Sequence, residues 1–66
     1  MTLIQAQDRY IGRINACHPG HFRRVKRSAW SQLYQWAVKR GYAKQDAVVI
    51  CDEADQVATL QRNSED

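Results

Sequence analysis

Apolar residues recur along this chain at helical spacing, in three runs separated by two breaks. In the first run Leu3, Ile4, Tyr10, Ile11, Ile14 and Cys17 gather on one side, while Gln5, Asp8, Arg9, Arg13 and Asn15 fall elsewhere. Thr2 and Gln5 stand at capping-box spacing, where a hydroxyl and an amide satisfy backbone N–H groups left open at a helix start. The pattern predicts a helix over 2–18, weakened by about 1 kcal/mol at Gly12 relative to alanine. Pro19-Gly20 makes the first break and Gly41 the second.

The second run predicts a helix over 28–40. Ser28 is its candidate N-cap and Gly41 its candidate residue just past the C-terminus. Lys39 and Arg40 sit in the last turn, where the helix dipole favours cations. The same dipole argues against a start at His21, because Arg23, Arg24, Lys26 and Arg27 would crowd the positive end. One continuous helix from 21 to 40 is the competing reading, since Phe22, Val25, Ala29, Leu33 and Trp36 keep helical spacing. The third run predicts a helix over 46–62 with Asp46 as N-cap and Ala47, Ile50, Cys51, Ala54, Val57 and Ala58 on one face. The β-branched stretch Ala47 to Cys51 also reads as a buried strand. A strand needs a partner, and no second such stretch exists, so helix is favoured. Residues 63–66 are expected to form a frayed tail.

The expected fold is therefore all-α: one three-helix domain over residues 1–62. A chain of 66 residues buries only about 60% of the surface it exposes when unfolded, so its own core is marginal. That length excludes a nucleotide-binding sheet, a barrel and a deep catalytic cleft. The hydrophobic share of 44% excludes a disordered chain. The second helix carries more apolar surface than such a core needs. Ala29, Trp30, Leu33, Tyr34, Trp36, Ala37 and Val38 cover an arc of about 200°, where a surface helix needs little more than about 100°. Two short helices do not obviously cover both tryptophans. Trp30, Tyr34 and Trp36 are thus the expected partner or dimer interface, and a homodimer is the expected state.

Charge changes the picture most. Residues 1–44 carry nine Lys and Arg against Asp8 alone, a balance of +8. Residues 45–66 carry Arg62 against Asp46, Asp52, Glu53, Asp55, Glu65 and Asp66, a balance of −5. A basic balance of that size on so short a stretch suits a polyanion, or an acidic protein surface. The densest segment is His21-Phe22-Arg23-Arg24-Val25-Lys26-Arg27-Ser28, read here as a loop ahead of the second helix. Guanidinium forks bind phosphate bidentately, and an aromatic neighbour adds to such a site.

Other constellations fall away. The string Asp52-Glu53-Ala54-Asp55 spells helicase motif II, but no glycine-rich phosphate loop accompanies it, and the residues read as an acidic solvent face. Cys17, His18, His21 and Cys51 are possible zinc ligands without a paired C-x-x-C spacing, so no metal or cofactor is expected. Ser28 and Ser31 lack recognisable His and Asp partners, and no enzyme is expected. A helix-turn-helix reading of the last two helices fails because the third helix brings carboxylates where a recognition helix brings base-reading side chains. Met1 to Asp8 show neither the charge nor the apolar core of a targeting segment, no apolar run reaches membrane-spanning length, and a cytoplasmic location with reduced thiols is expected.

The functional expectation is a small non-enzymatic nucleic-acid-binding regulator, with DNA favoured over RNA. It would contact phosphates through Arg23, Arg24, Lys26, Arg27, Lys39, Arg40 and Lys44. The alternative is a protein-binding adaptor or inhibitor that docks through the Trp-rich edge with charged flanks.

Overall fold

The computed structural model describes residues 1–63. They form three α-helices, α1 (Leu3–Ala16), α2 (Phe22–Lys39) and α3 (Lys44–Asn63), with a single 3₁₀ turn at Pro19–His21 between the first two. No strand occurs among the described residues, so the stretch 47–51 is helical. Ser64 to Asp66, most of the expected frayed tail, lie outside the described residues.

The capping box forms as its spacing predicts. Gln5 N–H donates to Thr2 Oγ1 at 3.2 Å, and Thr2 N–H donates to Gln5 Oε1 at 2.9 Å. At the far end of α2, Gly41 takes a φ of +101°, a conformation that only glycine adopts cheaply. This lets the Gly41 N–H reach the Val38 carbonyl at 3.0 Å and the Tyr42 N–H reach the Ala37 carbonyl at 3.1 Å. Two open carbonyls of the last turn are thereby satisfied, and the chain reverses into α3.

The start of α2 corrects the sequence reading. The basic segment 21–27 is not a loop. Residues 22–27 form the first turns of the helix, His21 ends the 3₁₀ turn before it, and Ser28 lies inside α2 rather than at its cap. The dipole argument fails on magnitude. Its penalty is about 0.3–1 kcal/mol per cation, is confined to the first turn, and there touches only Arg23 and Arg24. Against it stand Phe22 and Val25, both half-buried against the core, where full burial of such side chains is worth about 1.5–3 kcal/mol each. Arg62 from α3 adds a cation 4.2 Å from the centre of the Phe22 ring. A smaller correction concerns α3, which begins at Lys44, so Asp46 lies in its first turn instead of capping it.

Side-chain bonds give the topology. Gln7 Nε2 donates to the Ile50 carbonyl, the Tyr10 hydroxyl to Asp55 and Asn15 Nδ2 to Gln61, so α1 and α3 run parallel. Lys26 pairs with Asp55, and the Cys51 thiol donates to the Trp30 carbonyl, so α2 runs antiparallel between them. All three helices touch one another.

The core consists of Ala6, Tyr10, Ile14, Ala29, Leu33, Ala37, Ala47, Ile50, Cys51, Ala54 and Ala58, more than half of it alanine. Small side chains let helix axes approach closely but remove little apolar area each. Larger residues therefore close the core from its flanks: Leu3, Ile11, Phe22, Val25, Trp30, Tyr34 and Trp36 pack half-buried around it. Two expected core positions are outside. Ile4 is 69% exposed, because it stands about 120° around α1 from Tyr10, beyond the buried stripe. Val57 is 42% exposed at the edge of the α3 stripe, whose centre is Ala54 and Ala58.

Two measurements test this packing. Asp55→Ala leaves the buried Tyr10 hydroxyl without its acceptor and is expected to cost ~1–3 kcal/mol in urea unfolding. Lys26→Ala removes only a half-exposed ion pair and should cost less than ~1 kcal/mol. Equal costs would make the ion pair, not the hydrogen bond, the tie between helices. The Cys51 thiol is buried, and burial, helped by the Asp52 charge, pushes it up from 9.0 to about 11. At pH 8 an aromatic disulfide reagent should therefore modify Cys17 in the folded protein and Cys51 only on unfolding. Above pH 9 the unfolded thiol ionises first, so folding stability should fall as pH rises from 9 towards 11.

Candidate nucleic-acid interface

With α2 beginning at Phe22, its helical repeat decides where the basic residues go. Arg23 and Arg27 stand one turn apart on one face, Arg24 flanks them, and all three are exposed. Continuing along that face come Trp30 and Ser31. Arg23, Lys26, Arg27, Trp30 and Ser31 bound an open hollow of about 320 Å³. Trp30 and Tyr34 stack on each other with ring centroids 5.7 Å apart and planes 10° from parallel. Both rings are half-buried, so this aromatic pair is at once a lid on the core and a surface beside the arginines.

Lys26 departs from the set. Its ammonium pairs with Asp55 Oδ2 at 3.3 Å and lies 5.9 Å from the Phe22 ring centre. It is partly neutralised, whereas Arg23, Arg24 and Arg27 form no ion pair among the described residues.

Lys39, Arg40 and Lys44 are exposed at the other end of α2 and the start of α3. Arg23 and Arg40 are separated by about 25 Å of helix. The structure thus divides the seven predicted cations into two clusters. The three aromatics divide as well. Trp36 lies on the flank of α2 that faces α1, where the Arg40 guanidinium sits 5.3 Å from its ring centre and Tyr42 packs at 6.4 Å. It lines a different hollow from Trp30 and packs its ring against Tyr42 instead of joining the Trp30–Tyr34 stack.

Two features escape sequence reasoning. Asp55 does not belong to an acidic solvent face. Asp52 and Glu53 are exposed, but Asp55 turns inward to Tyr10 and Lys26. Arg9 and Arg13, read as ordinary polar-face residues of α1, line a cleft against Trp36. The signal for both lay in pairings across helices, which the periodicity of one helix does not contain.

The remaining candidates build local structure. His18 Nδ1 accepts from the Gly20 N–H at 3.0 Å and shapes the 3₁₀ turn, with His21 packed beside it at 5.6 Å. The Cys17 thiol donates to the Ile14 carbonyl at 3.1 Å, and Cys51 is in the core. Among the described residues, no group of three or more His, Cys, Asp or Glu side chains is placed to hold a metal ion. No described helix is long and apolar enough to cross a membrane. Compared with known proteins, the chain matches no family model, no curated protein and no solved structure.

Proposed function

We propose that this chain is a small non-enzymatic nucleic-acid-binding regulator that grips phosphates through the first two turns of α2. One observation carries the reading: Arg23, Arg24 and Arg27 are exposed together without an ion pair among the described residues. Unpaired guanidinium groups keep their full capacity for bidentate contacts to phosphate oxygens. The hollow beside them, with Trp30 and Ser31 on its wall, adds an aromatic face and a hydroxyl to the same surface. Lys39, Arg40 and Lys44 form a second patch that a long polyanion reaches by running along α2. DNA is the favoured polymer and a homodimer the favoured state. Ile4, Val49 and Leu60 are each more than half exposed, and a second copy is one way to cover such apolar surface.

Fluorescence anisotropy of labelled duplex DNA, single-stranded DNA and RNA, read from low to physiological salt, tests this proposal. Each phosphate neutralised contributes about −0.9 to the log–log salt slope on a duplex. Arg23→Ala with Arg24→Ala is expected to weaken binding at all sequences alike and to flatten that slope by about 2. Circular dichroism should be unchanged, because both side chains are exposed. No binding to any of the three polymers at low salt overturns the proposal.

A second reading rests on the Trp30–Tyr34 stack. A flat aromatic pair set among charges also suits the anchor of a protein partner. On that reading Trp30→Ala costs more partner affinity than the arginine pair, provided circular dichroism shows the variant folded.

A further inference from the structure

The cleft between α1 and α2 lies on the opposite flank of α2 from the hollow at Arg23 and Arg27. Ala6 on α1 and Ala29 on α2 both line it, and their short side chains leave about 230 Å³ open. Tyr10 and Leu33, both buried, form its floor, and Trp36 forms a wall. On the α1 side Arg9 and Arg13 stand one turn apart. Arg13 Nη1 donates to Gln32 Oε1 across the cleft at 2.6 Å, which orients its guanidinium and leaves its other N–H groups available. Arg9 has no ion pair among the described residues. Arg40 brings a third cation to the Trp36 ring. Among the described residues, no carboxylate lines the cleft.

We propose that this cleft binds a small aromatic anion: a single ring carrying a carboxylate or a phosphate. Size sets the first part of that description. An apolar cavity of about 150 Å³ holds benzene. The cleft exceeds that by roughly the room of one oxyanion head group. Chemistry sets the second part. The ring lies against Tyr10, Leu33 and Trp36, as aromatic and aliphatic side chains favour. The oxyanion meets the N–H groups of Arg9 and Arg13 in charge-assisted hydrogen bonds. The site is independent of the proposed nucleic-acid function, since it uses none of Arg23, Arg24 and Arg27.

Trp30→Phe leaves Trp36 as the only tryptophan, so its emission reports on the cleft alone. Phenyl phosphate is the probe, with benzyl alcohol as ring without charge and inorganic phosphate as charge without ring. The expected result is a saturable change in Trp36 emission with a Kd of ~1 mM or tighter. Arg9→Ala with Arg13→Ala should weaken phenyl phosphate about tenfold or more. Both arginines are exposed, so the double variant should fold, and circular dichroism checks it. The proposal is overturned by any of three results. The first is no saturable change in emission or in the amide NMR shifts of Arg9, Gln32 and Leu33 up to ~20 mM probe. The second is phenyl phosphate binding that the double variant leaves unchanged. The third is benzyl alcohol binding as tightly as phenyl phosphate.

Discussion

One carboxylate, Asp55, holds the three helices in register. It is half-buried on α3, accepts a hydrogen bond from the Tyr10 hydroxyl of α1 at 2.8 Å, and pairs with Lys26 of α2 at 3.3 Å. Tyr10 is only 2% exposed, so its hydroxyl has little access to water and must find its partner inside the fold. Burial and the Asp55 charge both hold the Tyr10 hydroxyl well above its ordinary pKa, so it stays protonated and donates. Sliding α1 against α3 by one residue breaks the Tyr10–Asp55 bond and leaves a buried hydroxyl unpaired, whereas sliding α2 breaks only the half-exposed ion pair. In a larger domain one such tie is a detail. Here the core is mostly alanine, and apolar contact alone specifies rotation and register weakly.

The alanine core also explains why the surface has the features it has. Helices that pack through alanine have little bulk between them, so large residues are pushed to the flanks of each interface. On α2 this places Trp30 and Tyr34 on one flank and Trp36 on the other, each half-buried. The broad apolar arc of α2, which the sequence suggests is excess, is used in this way: the rings seal the two long edges of the bundle. Sealing an edge exposes one side of each ring. The basic residues of α1 and α2 then lie beside aromatic surfaces without any further device, Arg23 and Arg27 beside Trp30 and Arg9, Arg13 and Arg40 beside Trp36.

Most of the fold is readable in the residues, and what is not follows a pattern. The Thr2–Gln5 box, the break at Pro19-Gly20 and the turn at Gly41 are local, and local chemistry decides them, while the helical nature of the stretch 47–51 follows from the lack of a second strand-like stretch to pair with it. The start of α2 departs from the local expectation because it sets a local cost, cations at a helix N-terminus, against a non-local gain, the burial of Phe22 and Val25. The inward turn of Asp55 and the cleft at Arg9 and Arg13 depend on which helix lies opposite, and no single stripe records that. The candidate interface is readable only in composition. The density of arginine at 23–27 is plain in the sequence, whereas the pairing of Lys26 and the separation of Lys39, Arg40 and Lys44 from the rest require the packed bundle.

The N-terminus of α2 joins stability to the proposed function. Arg23 and Arg24 sit where the helix dipole is positive, and no carboxylate of the described residues pairs with them. Each raises the free energy of the first turn slightly, a cost that the burial of Phe22 and Val25 offsets. A phosphate held by these arginines reverses the sign of that local term, because an anion at a helix N-terminus is stabilising. Binding and the integrity of the first turn of α2 are then linked: what binds the folded helix start also stabilises it. A basic segment in a flexible loop has no such linkage. On the proposed reading, therefore, placing the arginines inside the helix gives up a little stability in the free protein and returns it when the polyanion is bound.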